Sequence, residues 1–179
     1  MDALFTSERL IFKEFTPADS HLIYQLNKDP EVIKYLHEPE TSMEKAEEVV
    51  KNIIIPQYKK YNHGRWAVYL KETHEFIGWC GLKYRTERQV VDIGYRLSKK
   101  NWGHGYATEA AKRCIQYGFE VLNLPKIFAA AHVDNIASRK VLEKAGLHFI
   151  GIENIDNCLA KTYEIIAQPV NLEKNNLHQ

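Results

Sequence analysis

Hydrophobic positions follow two spacings along this chain, and the spacing changes at Trp66. Leu10, Phe12 and Phe15 predict a short opening strand over about Arg9 to Phe15. Thr16-Pro17-Ala18-Asp19 reads as a helix start, with Thr16 as N-cap, Pro17 at the first position and an acid in the first turn; that helix runs to about Asn27. Asp29-Pro30-Glu31 opens a second short helix toward Leu36. Thr41-Ser42-Met43-Glu44 resembles a capping box ahead of a helix toward Tyr61, which Pro56 kinks or splits.

From Trp66 the pattern is strand-like. Trp66 to Leu70, Phe76 to Leu82 and Val90 to Leu97 are separated by polar turns and predict an antiparallel meander. Ala111, Cys114, Ile115, Phe119 and Leu122 then recur at helical spacing, predicting a helix over Thr108 to Leu122. Lys126 to Val133 is a short apolar strand, Asn135 to Ala145 a helix stopped by Gly146, and Leu147 to Gly151 and Ala160 to Ile166 the closing strands. A strand–helix–strand unit from Val90 to Val133 requires a right-handed crossover and a parallel pair inside an otherwise antiparallel sheet. The fold class is therefore mixed α/β, of the α+β kind: one mostly antiparallel sheet with helices on its faces. No repeat, low-complexity run or linker divides the chain, so residues 1–170 read as a single domain and 171–179 as a flexible tail.

Composition narrows the function classes. An apolar fraction of 45% and a charged fraction of 26% are those of a soluble globular protein. A net charge of +1 argues against a broad nucleic-acid footprint. Cys80, Cys114 and Cys158 are odd in number and widely spaced, which fits reduced thiols in a cytoplasmic protein and lacks zinc-ligand spacing. His104 and His132 are joined by no acid or Cys cluster, so no metal site is expected. The N-terminus has no basic start followed by an apolar core, and no apolar run reaches membrane-spanning length.

The most informative segment is Lys100-Asn-Trp-Gly-His-Gly-Tyr-Ala-Thr-Glu-Ala-Ala111, directly after the predicted strand Val90 to Leu97. A strand, a glycine-punctuated turn and a helix together build an anion site. Gly103 and Gly105 permit a tight turn and a close ligand approach, and the helix start offers unpaired N–H groups and the positive dipole end. A Walker loop is absent, and a dinucleotide fingerprint would need glycine where Thr108 stands. A glycine-rich turn with no ligand is the remaining alternative.

Asn135-Ile-Ala-Ser138 opens the next helix and Lys144-Ala-Gly-Leu147 ends it. With Val91-Asp-Ile-Gly-Tyr95 just before the turn, the order and spacing of these motifs resemble the GNAT superfamily of acyl-CoA-dependent N-acetyltransferases. The resemblance covers nearly the whole chain, and is greatest to the branch containing the ribosomal-protein N-terminal (alanine/serine) acetyltransferases.

That resemblance implies a sheet with a splayed parallel strand pair, and roles for individual residues. Backbone amides of Trp102, Gly103, His104, Gly105, Tyr106 and Ala107, with Thr108 next in the helix, would hold the pyrophosphate of coenzyme A. The family often has Arg or Gln three residues before the first glycine; Lys100 stands there instead and could approach a phosphate. Backbone groups of Tyr95, Arg96 and Leu97 would pair with pantetheine, the Tyr95 side chain reading otherwise as an ordinary strand aromatic. Asp92 would be the base beside the amine, or else pair with Arg88 or Lys83. Many members supply a Tyr donor to the leaving thiolate where Leu142 stands here, which leaves Ser138 as donor; Asn135 would bond pantetheine. Asn135 and Ser138 also suit simple helix capping. Arg139 and Lys140 would meet a 3′-phosphate or form a solvated face. Trp66, Trp79, Phe128 and Tyr35 are candidates for an acceptor wall, Trp79 and Phe128 being better suited to core.

The implied activity is cytoplasmic transfer of acetyl from acetyl-CoA to a primary amine, either a protein N-terminus or a small amine, by direct attack and release of coenzyme A. No Cys matches the family's transfer chemistry. The expected state is monomer or homodimer, with no membrane or nucleic-acid partner and no metal. A non-catalytic acyl-CoA sensor or interaction module is the alternative, and the sequence fixes neither the acceptor nor the acyl-chain preference.

Overall fold

The computed structural model describes residues 3–36 and 41–168. The predicted tail at 171–179 lies outside the described residues. Eight strands form one sheet in the order β1-β2-β3-β4-β5-β6-β8-β7: β1 Phe5–Thr6, β2 Leu10–Lys13, β3 Arg65–Leu70, β4 Phe76–Arg85, β5 Val90–Leu97, β6 Lys126–His132, β7 His148–Ile155 and β8 Cys158–Ile166. Every neighbouring pair is antiparallel except β5 and β6, the pair closed by the crossover helix. The helices are α1 Ser20–Asn27, α2 Pro30–Ile33, α3 Met43–Val49, α4 Ile55–Tyr61, α5 Tyr106–Glu120 and α6 Ile136–Lys144.

Strand alternation assigns the two faces. Tyr95 bonds to Ser138 of α6, while the next residue, Arg96, bonds to Asn27 of α1. Successive strand residues point to opposite faces, so α6 and α1 cover opposite sides of β5. On the α6 side, α5 lays Ala110, Ala111, Cys114, Ile115 and Gly118 on the sheet. A Cβ at Gly118 would stand 2.9 Å from Ile127 and 3.0 Å from Leu82, so the approach depends on the missing side chain. Trp66, Leu10, Phe12, Ile77, Leu82 and Leu142 are fully buried in the same core.

Two local differences from the sequence expectation have physical causes. The helix predicted up to Tyr61 is split, as expected of Pro56, but the break takes the form of a five-residue π segment, Val50–Ile54, that ends just before the first turn of α4, where the proline stands. The strand β1 is too short for a periodicity signal. It is held by Phe5, which stacks on Phe12 at 4.5 Å and on Tyr117 at 4.4 Å and meets Trp66 edge-on at 5.1 Å. This hairpin brings Ser7 and Arg9 to the start of α5.

Candidate active site

The glycine turn is set by the left-handed backbone of Gly103 (φ 79°) and Gly105 (φ 80°), the latter standing at the N-cap of α5. The first bond of α5 runs from the Glu109 amide to the Gly105 carbonyl at 3.0 Å. Among the described residues the amides of residues 103 to 108 have no hydrogen-bond partner, so these donors are left at the positive end of the helix. A Cβ built at Gly103 meets nothing within 4 Å, which leaves the outer side of the turn open. These features suit a pyrophosphate. The Trp102 amide is different: it donates to the Lys99 carbonyl at 3.1 Å, and its indole N–H to the Leu97 carbonyl at 2.8 Å, so it braces the turn. Lys100 is exposed and paired with Glu75.

Arg9 and Glu109 hold this turn from outside. The Glu109 carboxylate accepts from Ser7 Oγ at 2.6 Å, the Arg9 amide at 2.7 Å and Arg9 Nε at 2.7 Å. Arg9 also donates to the His104 carbonyl at 3.0 Å and lies 4.5 Å above the Tyr106 ring. Partial burial raises the Glu109 pKa, but the three donors outweigh it and the net shift is downward. Sequence reading missed Arg9 because its partners lie about a hundred residues away; the only signal was the short Phe5-Thr6-Ser7 segment ahead of the first strand.

Above the turn the sheet opens. β4 and β5 pair without interruption from Arg85↔Val90 to Gly78↔Leu97, whereas β5 and β6 share one register pair, Asp92↔Phe128. Beyond it the two strands diverge, and the β6 side of residues 93–97 faces a gap. Tyr95 spans that gap with its side chain: the phenol donates to the Ser138 carbonyl at 2.8 Å and lies 3.0 Å from Ser138 Oγ. Burial pushes the phenol pKa up, so Tyr95 stays a neutral donor. Asn135 caps α6 by accepting from the Ser138 amide at 3.0 Å. Leu142 is buried in the core, so Tyr95 and Ser138 are the hydroxyls that the structure brings together here. Arg139 donates to the Val133 carbonyl at 3.0 Å and Lys140 is exposed.

Asp92 lies on the opposite, α1-covered face and is 5% exposed. Its partners are not Lys83 or Arg88 but Arg65, at 2.7 Å, and Arg85, at 2.5 Å, one guanidinium on each carboxylate oxygen. Burial alone would raise the Asp92 pKa; the charges and hydrogen bonds of the two arginines prevail and hold it below its ordinary value. Arg65 reaches this position through a groove made by the cross-strand pair Gly81↔Gly94. A Cβ at Gly94 would stand 2.9 Å from the Arg65 guanidinium, and Arg65 donates to the Gly81 carbonyl at 2.6 Å. Arg85 continues to Asp156 in the β7–β8 turn at 3.0 Å.

The aromatic candidates separate. Trp66 and Phe128 are core. Trp79, read as core, is half-buried and stacks with two guanidinium groups, Arg65 at 5.3 Å and Arg96 at 5.4 Å. Tyr35 packs against His132 at the end of β6, with ring centroids 5.4 Å apart and planes tilted by 31°. A separate cavity of about 540 Å³, lined by Tyr61, His63, Tyr84, Leu122 and Phe128, opens at the start of β5, remote from the glycine turn. Among the described residues no helix is long and apolar enough to cross a membrane, and no group of three or more His, Cys, Asp or Glu is placed to hold a metal.

Comparison with known proteins agrees with this geometry. The acetyltransferase (GNAT) domain description matches residues 9–148. A Bacillus licheniformis protein named as an uncharacterized N-acetyltransferase, p20, is 34% identical over 154 residues, 85% of each chain. An acetyltransferase of Agrobacterium tumefaciens superposes with a TM-score of 0.80 at 23% identity, covering 92% of this chain and 94% of that one. A ribosomal L7/L12 α-N-protein acetyltransferase solved in complex with coenzyme A superposes with a TM-score of 0.78 at 17% identity, covering 93% and 98%. At these identities the structural likeness is one of fold.

Proposed function

The chain belongs to the GNAT acetyltransferase family, and we propose that it transfers acetyl from acetyl-CoA to a primary amine by direct attack, the amine arriving on the Asp92 face. The observation that carries this reading is the gap beside residues 93–97, which opens between the unpaired amides at the start of α5 and the Tyr95–Ser138 hydroxyl pair. Acetyl-CoA supplies an activated thioester when bound.

The amides of residues 103 to 107 would bind the pyrophosphate, each charge-assisted bond contributing about 1.5–3 kcal/mol. The backbone edge of Tyr95 and the Leu97 amide, turned away from β4, would pair with the pantetheine arm as an added strand; the Leu97 carbonyl already accepts the Trp102 indole N–H, and the Arg96 carbonyl lies against β4. Ser138 would donate to the departing thiolate; Tyr95 positions it from across the gap, and Asn135 fixes the helix turn that carries it. Asp92 is better placed as a positioning residue than as the base. Both of its oxygens already accept from guanidinium groups, and a carboxylate held ionised this firmly is a weak proton acceptor. The amine proton then passes to water. For an ordinary Lys that loss costs roughly 4.6 kcal/mol at neutral pH, and for an α-amine roughly 1–1.4 kcal/mol, which favours α-amines as acceptors.

Ser138→Ala is expected to lower kcat by about tenfold or more, removal of a single donor to developing charge costing up to about 2.7–4 kcal/mol. Tyr95→Phe should follow in the same direction with a smaller loss, because Ser138 remains but is no longer held. Steady-state kinetics with acetyl-CoA at saturation, beside direct binding of coenzyme A, separates the roles. A fall in kcat with little change in affinity supports them. If kcat changes by less than about twofold in both variants, the hydroxyl pair has no part in thiolate departure.

A further inference from the structure

The cavity at the start of β5 has no part in the acetyl-transfer site. Its volume of about 540 Å³ falls within the roughly 300–1,000 Å³ of small-molecule pockets. The end of α4 and strand β4 bring Tyr61 and Tyr84, whose ring centroids lie 4.7 Å apart. The segment after α5 brings Leu122 and Leu124, and the starts of β5 and β6 bring Val91 and Phe128. No carboxylate lines the space, and its one charged side chain, Lys126, is already paired with Glu164 at 3.2 Å. His63 supplies a polar group. It is 3% exposed, and its ring lies along that of Tyr61 with centroids 5.9 Å apart. Its Nδ1 stands 3.2 Å from the Leu82 carbonyl, which can only accept, so Nδ1 carries the proton. Burial holds the His63 pKa below its ordinary value against the pull of that bond, so the ring is neutral at neutral pH and Nε2 is an acceptor. Nε2 has no hydrogen-bond partner among the described residues, yet it is not sealed inside the protein. With so little of His63 at the surface, Nε2 opens on the cavity that this residue lines.

We propose that this cavity is a second ligand site, for an uncharged small aromatic molecule that carries one N–H or O–H donor. The flat apolar body lies among the tyrosine rings and the aliphatic side chains, and the donor bonds to His63 Nε2. An apolar molecule without a donor strips water from that nitrogen and leaves it unpaired, a cost that the donor removes. A charged molecule loses its hydration and gains no counter-ion, since Lys126 is neutralised by Glu164 and the lining holds no acid. The buried position of the acceptor suits a small molecule that enters the cavity. The site is independent of the acetyl-transfer reading. It lies at the ends of α5 and β5 opposite to those that carry the glycine turn and residues 95–97.

The test sets indole against benzofuran, which has the same bicyclic shape with the N–H donor replaced by an ether oxygen. Each is titrated into the full chain and followed by proton–nitrogen NMR of the backbone amides and of the His63 ring. We expect saturable binding of indole, with the largest amide shifts at Val91, Leu122 and Leu124 and a shift of the His63 Nε2 resonance. Affinity for indole should exceed that for benzofuran by about fivefold or more, the effect of one neutral hydrogen bond. His63→Phe keeps a ring beside Tyr61 and removes the acceptor, so it should bring that ratio toward one. Equal affinities in the wild-type protein, no saturable binding of indole, or largest shifts away from the cavity overturn the proposal. A ratio unchanged in folded His63→Phe overturns it as well. Where that variant fails to fold, the wild-type His63 resonance settles the matter: an Nε2 shift with indole but not with benzofuran supports the proposal, and any other result overturns it.

Discussion

Asp92→Asn lowers the stability of the folded protein by about 3–5 kcal/mol, because it leaves two arginine charges in a low-dielectric site without their shared carboxylate. Against a typical total of about 5–15 kcal/mol this is a large loss, and the variant is expected to unfold at markedly lower urea concentration. The pH dependence gives the sign independently. The folded Asp92 pKa lies below its ordinary value, so its contribution is fully present above the unfolded pKa of about 3.9. It is lost as pH falls from there through the folded value. The wild-type protein should lose stability on acidification across that window, and Asp92→Asn should lose correspondingly less over the same range. Adding Arg65→Met to Asp92→Asn removes the guanidinium left without a carboxylate, since Arg85 keeps Asp156 and Glu87, and should recover part of the deficit. Urea unfolding at neutral pH and at about pH 3 measures all three; a deficit below about 1 kcal/mol in the single variant would show that the clamp is not a stabilising unit.

Gly105→Val lowers affinity for acetyl-CoA by at least tenfold, about 1.4 kcal/mol. Space is not the obstacle, since the nearest atom to a Cβ there is an Arg9 nitrogen at 3.5 Å. The obstacle is the backbone: φ of 80° lies in the left-handed region, where an L-residue pays about 1–2 kcal/mol and a β-branched one is a clear outlier. Relief of that strain reorients the amides at the start of α5 that would meet the pyrophosphate. The helix and sheet should survive, because α5 is anchored by its buried face and by Glu109. Titration calorimetry on the variant, with circular dichroism as the check on folding, reads the effect. Equal affinity in a folded variant would show that the turn is structural only.

Much of this site was legible in the sequence because its signals are local. The glycine turn, the α6 cap at Asn135 and the strand before the turn each occupy consecutive residues, and the crossover between Val90 and Val133 requires the parallel pair. What escaped was what depends on distant partners. Arg9 meets the turn only because a two-residue strand, held by Phe5 against Phe12, Trp66 and Tyr117, folds back beside α5. The partners of Asp92 were misjudged for a geometric reason. Lys83 is its direct cross-strand neighbour, but Arg65 comes from two strands away through the paired glycines at 81 and 94, and no strand pattern announces a guanidinium lying across two strands. The Tyr95 phenol was read as an ordinary strand aromatic; its bond to Ser138 joins residues 43 apart in sequence, which no local pattern announces.

The central claim is that this chain acetylates an amine in the gap between β5 and β6. Its most direct measurement is release of free coenzyme A thiol from acetyl-CoA by the purified protein, across a library of amino acids, peptides with free N-termini and small amines, with the acetylated product identified by mass. The account predicts thiol release that depends on both protein and acceptor, one acetyl group on the amine for each thiol released, and loss of that release in Ser138→Ala and Gly105→Val. Tight binding of acetyl-CoA with no acceptor-dependent release, or acetyl appearing on something other than an amine, would contradict it.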